Sequence, residues 1–167
     1  MVKGDLIIVK NSRVHGTGVF ATKDIKKDSR IIEYVGEKID KDESDERYDR
    51  ALEFSKSNPD MGMVYIFDLN DEYDIDGDVS YNPARWINHS CNPNCEVEII
   101  DDHIWIIALR NIIAGEELSY NYGYETIDDF EDHPCKCGSN NCVGYILSDD
   151  LWPELKKKLE KKNSVSG

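Results

Sequence analysis

Short apolar runs separated by polar turns dominate the first two thirds of the chain. Leu6-Ile7-Ile8-Val9 is β-branched and bounded by Gly4-Asp5 and Asn11-Ser12, and Val19-Phe20-Ala21 and Ile31-Ile32-Glu33-Tyr34-Val35 repeat the pattern, the last closed by Gly36. Runs of this length and composition predict strands. Met63-Val64-Tyr65-Ile66-Phe67 predicts another, and residues 96–100 and 104–109 read as two strands flanking a tight turn at Asp101-Asp102. Between Asp40 and Lys56 the period changes. The segment is strongly charged, with Tyr48, Ala51, Leu52 and Phe54 on one side of a helix that Asn58-Pro59-Asp60 then stops. An acidic stretch from Asp68 to Asp78, containing Asn70-Asp71 and Asp76-Gly77, reads as hairpin-like. At the far end DDLWPELKKKLEKK, residues 149–162, predicts a helix with acids first and lysines last, as the macrodipole favours. Residues 163–167 are expected to fray.

Composition narrows the class. The 167 residues suit one domain able to bury its own core. With 34 Asp and Glu against 20 Lys and Arg, the formal charge of −14 disfavours a general nucleic-acid or anionic-membrane binder and favours a cationic partner. Hydrophobic residues at 40% separate the chain from acidic disordered sequences. No stretch approaches the roughly 20 apolar residues of a spanning helix, and Met1-Val2-Lys3-Gly4-Asp5 lacks the features of a signal peptide, so an intracellular protein is expected.

The five cysteines, Cys91, Cys95, Cys135, Cys137 and Cys142, all fall in the second half. An odd number so clustered suits metal binding in a reducing compartment better than a disulfide framework. Cys135-Lys136-Cys137-Gly138-Ser139-Asn140-Asn141-Cys142 places three thiols within reach of one ion. A closed structural zinc site needs a fourth ligand, for which Cys91 and Cys95 are candidates and His133 a weaker one. Glu72 to Gly77 mimics the opening of a calcium loop, but Pro83 stands where the bidentate Glu belongs, so calcium is rejected.

Three further segments carry the chemistry: His15-Gly16-Thr17-Gly18-Val19-Phe20-Ala21, Arg85-Trp86-Ile87-Asn88-His89-Ser90-Cys91-Asn92-Pro93-Asn94, and Gly115-Glu116-Glu117-Leu118-Ser119-Tyr120-Asn121-Tyr122. In that order, with Tyr34-Val35-Gly36-Glu37 after the first and the cysteines after the third, the chain resembles the SET-domain protein lysine methyltransferases with a post-SET zinc segment. The resemblance runs from about Leu6 to Ile146. It implies a mainly β, α+β fold of small antiparallel sheets around a pseudoknot, where Asn88-His89 meets the 117–122 strand. Residues 1–124 would form the SET domain with an insert at about 40–60, residues 125–147 the zinc segment, and residues 148–167 a C-terminal helix and tail. The larger nuclear members carry a cysteine-rich segment ahead of the domain and a reader domain; neither is expected here.

The same resemblance implies S-adenosylmethionine on one face and a lysine channel opening from the other. His15, Gly16, Thr17, Gly18, Tyr34, Arg85, Asn88, His89 and Tyr122 would surround the cofactor. Gly16 and Gly18 let backbone approach a ligand closely. Tyr122 matches the family's catalytic tyrosine, Tyr65 a second channel tyrosine, and Tyr120 the position that controls how many methyl groups fit. Tyrosines suit such a channel because each gives an apolar wall and a hydroxyl that orients the amine. With Tyr at 120, monomethylation is favoured. One structural zinc would be held by Cys91, Cys135, Cys137 and Cys142, leaving Cys95 over. The implied substrate is a lysine-rich, histone-like protein; neither direct nucleic-acid binding nor membrane attachment is expected. The rivals are a SET-like scaffold that binds basic peptides without turnover and a zinc ribbon for nucleic acid, which the charge disfavours. Thiol catalysis by Cys91 is disfavoured because zinc would occupy the thiolate.

Overall fold

The computed structural model describes residues 6–57 and 64–165. The expectations for the first five residues, for Asn58-Pro59-Asp60 and for Met63 lie outside the described residues. The strands in chain order are β1 (Ile7–Asn11), β2 (Thr17–Ala21), β3 (Arg30–Tyr34), β4 (Glu37–Asp40), β5 (Ile66–Asp68), β6 (Tyr73–Asp76), β7 (Asn88–His89), β8 (Cys95–Ile100), β9 (His103–Ala108) and β10 (Ser119–Tyr120). Helix α1 spans Lys41–Ser57 and α2 spans Trp152–Val165. Small sheets result: the hairpin β1-β2, the three-stranded β3-β9-β8 and β4-β6-β5, and the two-residue pair β7-β10. The larger sheets are antiparallel, whereas β7 and β10 run parallel, with Ser119 opposite Asn88 and Tyr120 opposite His89. This is the meeting of the two motif segments that the resemblance implies.

Local chemistry accounts for most of these elements. Asp101 and Asp102 both take positive φ, 53° and 60°, and Ile100 pairs with His103 across them, giving the two-residue turn that matches strand twist. Asp40 caps α1 by accepting the Glu43 amide at 2.9 Å, and Asp42 and Glu43 favour the positive end of its dipole. Helix α2 continues to Val165, so the fraying expected from Asn163 is corrected through that residue. Strands β4 and β6 escape a hydrophobicity reading, since EKID and YDID contain no apolar run. Ion pairs reinforce them. Lys41 reaches Asp68 at 2.8 Å and Asp74 at 2.5 Å, while Arg47 reaches Glu37 at 2.9 Å and Asp76 at 2.6 Å. Much of the acidic stretch thus neutralises cations of this chain, which reduces what it can offer a basic substrate.

Two hydrophobic clusters form. The larger joins Val19, Ile87, Ile104, Ile106, Ile112 and Leu118, all at most 1% exposed, beneath the sheets. The smaller joins Phe130, Leu147 and Leu155, with Leu159 of α2 and Tyr145 packed on it. Among the described residues no helix is long and apolar enough to cross a membrane.

Gly36 shows how tightly the body is packed. A Cβ there would lie 2.1 Å from the Asp76 carbonyl oxygen, and backbone in a paired strand cannot retreat without breaking the β4-β6 register. Gly36→Ala is therefore expected to destabilise by about 1–3 kcal/mol, the usual range for overpacking. A denaturant midpoint indistinguishable from that of the unmodified chain would show that the strands can part at no cost.

Candidate active site and metal centre

The loop after β1 turns on Ser12, whose hydroxyl accepts the Val14 amide at 2.9 Å and whose own amide donates to the Gly16 carbonyl at 2.9 Å. Gly16 has φ +44° with open space above it, so the turn itself calls for glycine. Gly18 is glycine for a different reason. A Cβ there would sit 2.4 Å from Oε1 of Glu117, so its missing side chain makes room for that carboxylate. Glu117 in turn accepts from the Ser12 hydroxyl at 3.0 Å and the Asn88 amide at 2.9 Å. The same Asn88 amide nitrogen donates to the Thr17 carbonyl at 3.1 Å and lies 3.4 Å from that of His15. One carboxamide and one carboxylate therefore lock the glycine loop onto β7 and the segment leading to β10. Glu117 was not among the residues singled out from sequence; its place within the Gly115–Tyr122 motif was the available signal.

Aromatic side chains continue from this knot. The Tyr120 and Tyr122 rings are 5.0 Å apart, Phe67 lies 5.6 Å from Tyr120, and Tyr34 lies 4.5 Å from Phe67. The Tyr122 hydroxyl donates to the Ile87 carbonyl at 3.0 Å and the Tyr34 hydroxyl to the Tyr65 carbonyl at 2.8 Å. Burial raises the pKa of Tyr34, Tyr65, Tyr120 and Tyr122, so these phenols stay protonated at neutral pH. They can orient a base but do not act as one.

A cleft of ≈ 400 Å³ opens beside Tyr122. His15, Asn88, His89 and Tyr122 line it together, along with Tyr124 and the chain around Cys135. Its far wall is the apolar face of α1, Tyr48, Ala51 and Leu52, a contribution the helical pattern alone did not reveal. Gly16, Thr17, Gly18, Tyr34 and Arg85 are not part of this lining. Tyr34 is 3% exposed and packs over Gly77, where a Cβ would meet its ring at 2.4 Å, so it supports Tyr65 from inside the core. Arg85 pairs with Asp78 at 2.7 Å and lies 4.6 Å over the Trp86 ring, while its buried Nε has no hydrogen-bond partner among the described residues. Tyr65 stands edge-on to Trp86, their rings 5.8 Å apart.

The cysteines converge at the edge of this cleft. Sγ atoms of Cys91, Cys135, Cys137 and Cys142 all lie within 4.8 Å of one another, with Cys91 3.8 Å from Cys135 and 3.9 Å from Cys142. Tetrahedral zinc with Zn–S bonds of about 2.3 Å requires sulfurs about 3.8 Å apart, so the donor set fits that ion. The intervening loop supports it. The Cys137 amide points at Cys135 Sγ and the Gly144 amide at Cys142 Sγ, each at 3.4 Å, and the Asn141 side chain donates to the Cys91 carbonyl at 2.9 Å. Burial and the neighbouring Cys137 push Cys91 up to about 11, whereas hydrogen bonds from Ser139 and nearby amides outweigh burial and hold Cys137 near 6. Four thiols this close ionise together only around a cation. Cys95 is excluded: it is 1% exposed inside the body, against the Asn94 side-chain oxygen, with its thiol pushed to about 12 by burial. His133 also lies outside the set and packs instead against the Tyr124 ring at 4.8 Å.

His89 joins the two halves. It is 6% exposed, and burial lowers its pKa to about 4, so the imidazole is neutral. Nδ1 accepts the Tyr122 amide at 3.2 Å, and Nε2 lies 3.5 Å from Cys91 Sγ.

Comparison with known proteins agrees with this geometry. Histone-lysine N-methyltransferase 2D of Homo sapiens is 39% identical over 144 residues, covering 84% of this chain and 2% of that protein. Histone-lysine N-methyltransferase trr of Drosophila melanogaster is 40% identical over 144 residues, covering 84% of this chain and 6% of its own length. The H3 lysine-4 specific histone-lysine N-methyltransferase of Aspergillus fumigatus is 39% identical over 140 residues, 81% of this chain and 11% of the relative. The chain thus spans about a tenth or less of these relatives. A SET domain model matches residues 16–123, which take in the glycine loop, the Asn88-His89 strand and the tyrosines of β10 and its continuation, and the chain belongs to the SET-domain family.

Proposed function

We propose that this chain catalyses S-adenosylmethionine-dependent N-methylation of lysine in a histone or another basic DNA-associated protein, and that it favours a single methyl transfer. The observation that carries this reading is the double membership of Tyr122, which lines the cleft and also stacks on Tyr120. A donor in the cleft and an amine among the tyrosines would meet at that residue. The cleft is of a size that small ligands occupy, and it combines apolar walls with the polar edges of Asn88 and His89. When bound, S-adenosylmethionine supplies a sulfonium-activated methyl group for in-line displacement. Asn88 spends its amide hydrogens on protein acceptors, which leaves Oδ1 to accept from a cationic ligand.

The other partner must be a neutral amine. A lysine surrounded by Tyr65, Tyr120 and Tyr122 is desolvated, which lowers its pKa and favours the uncharged form. Tyr122, its proton directed to the Ile87 carbonyl, keeps lone pairs to accept from that amine. Relatives named as histone methyltransferases and the chain's charge of −14 both support a basic protein as substrate. Incubating purified protein with S-adenosylmethionine and histones, followed by mass spectrometry, tests the proposal. Methyl gain on lysine is the expected result. Bound cofactor with no transfer to any basic protein would favour a peptide-binding scaffold.

Product number has its own test. Among the described residues the Tyr120 hydroxyl makes no hydrogen bond, so it, or a water it holds, is available to crowd the amine. Tyr120→Phe is expected to shift products towards di- and trimethyl-lysine in intact-mass analysis. An unchanged distribution would remove Tyr120 from the channel.

A further inference from the structure

The hydrogen bonds around the His89 ring decide which of its nitrogens carries hydrogen. Because Nδ1 accepts the Tyr122 backbone amide at 3.2 Å, it carries no hydrogen; the proton is on Nε2, the nitrogen that faces Cys91 Sγ at 3.5 Å. That sulfur is one of the cage of thiols, and a metal-bound thiolate is a better acceptor than a thiol. The ring cannot swing to another partner. It is 6% exposed, paired through β7 with Tyr120 and stacked edge-on to Tyr122 with centroids 5.4 Å apart. A single imidazole thus spans from the metal cage to the backbone of the tyrosine that the cleft and the aromatic cluster share.

We propose that His89 is a positioning residue that couples metal loading to the placement of Tyr122: Nε2–H donates to the Cys91 sulfur while Nδ1 holds the Tyr122 amide. The proposal rests on reading the four thiols as a zinc site. When the cage is filled, the negative sulfur fixes the ring's tautomer and tilt, and the fixed Nδ1 anchors the start of the 122–124 segment. Outer-shell partners of this kind contribute to affinity, and their loss costs about 10–100-fold in metal binding.

The two bonds can be cut separately. In His89→Asn the side-chain oxygen substitutes for Nδ1 but nothing reaches Cys91, whereas in His89→Gln the amide nitrogen substitutes for Nε2 but the Tyr122 contact is lost. Zinc affinity, read by competition with a chromophoric chelator, is expected to fall about 10–100-fold in His89→Asn and to stay near the unmodified value in His89→Gln. Hydrogen exchange at the Tyr122 amide is expected to show the reverse pattern. Equal zinc affinity in both variants, or equal losses in both, would overturn the coupling. An unmodified protein that binds no zinc would instead overturn the cage reading itself. Nitrogen NMR of the unmodified zinc-loaded protein gives a check that needs no variant. Protonation of His89 at Nε2 is expected, and protonation at Nδ1 would overturn the proposal.

Discussion

Tyr122→Phe is expected to cut methyl transfer about 100-fold while leaving cofactor binding nearly intact, a loss of the size that follows when a reacting group is no longer held in line. The ring that stacks on Tyr120 and meets His89 edge-on is retained, so the cleft keeps its wall. Only the hydroxyl disappears. The Ile87 carbonyl loses its donor, a cost of about 1–3 kcal/mol that a folded domain of this size tolerates. The pH dependence separates orientation from base catalysis. Burial holds Tyr122 above its ordinary pKa, so it stays protonated through the working range, and the group that must lose a proton is the substrate lysine. Activity should therefore rise with pH as the amine deprotonates, in both forms, with the variant's profile lowered but not displaced. A displaced profile, or turnover within a few-fold of the unmodified protein, would remove Tyr122 from its assigned role.

Stripping zinc with a chelator should abolish transfer and loosen residues 133–147 together, with the β sheets left folded. The two hydrophobic clusters make this division physical. The body is centred on Val19, Ile87, Ile104, Ile106 and Leu118, whereas the cysteine segment leans on a small cluster of Phe130, Leu147 and Leu155 under α2. That cluster is too small to order a loop containing Gly138 and Gly144, both at positive φ, without a cross-link. Structural zinc contributes on the order of 10 kcal/mol in comparable thiolate sites, more than such a segment otherwise has. Activity is lost with order because Cys135 and its neighbours line the cleft beside Tyr122 and Tyr124. Metal analysis should find one zinc per chain, and hydrogen exchange after chelation should rise across 133–147 but not across β8 and β9. Full activity in metal-free protein would sink the structural-zinc assignment.

The strands built from apolar runs were legible because a β-branched or aromatic run between polar turns leaves a direct trace, as in β2, β3 and β9. Strand β4 was not, and β6 was legible only through the turn residues of the hairpin-like stretch that pairs it with β5, because their stability comes from register and from Lys41 and Arg47 rather than from apolar side chains. The same cations alter the meaning of the acidic stretch. In sequence its charges are part of the acidic excess that favours a cationic partner, yet Asp68, Asp74, Asp76 and Asp78 are engaged by residues of this chain. Gly18 is similar. Its glycine reads as clearance for a ligand until the carboxylate of Glu117 is seen filling the space.

The sequence by itself determined the family, the order of its motif segments, the three-cysteine spacing and the close pair Tyr120 and Tyr122. These are local patterns or fixed spacings, and covalent connection preserves them whatever the packing. Spacing and composition left Cys91 and Cys95 both open as the fourth member of the cage; the resemblance named Cys91, and the tertiary structure supplies the physical reason. Cys91 and Cys95 are four positions apart and chemically identical. The turn after β7 carries Cys91 to within 3.8 Å of Cys135, 44 residues away, while β8 buries Cys95 against Asn94. The tertiary structure likewise placed Tyr34 and Arg85 outside the lining of the cleft and brought His89 to both Tyr122 and the thiols. Contacts across such separations follow from which faces of the small sheets become buried together, and neither spacing nor composition records that.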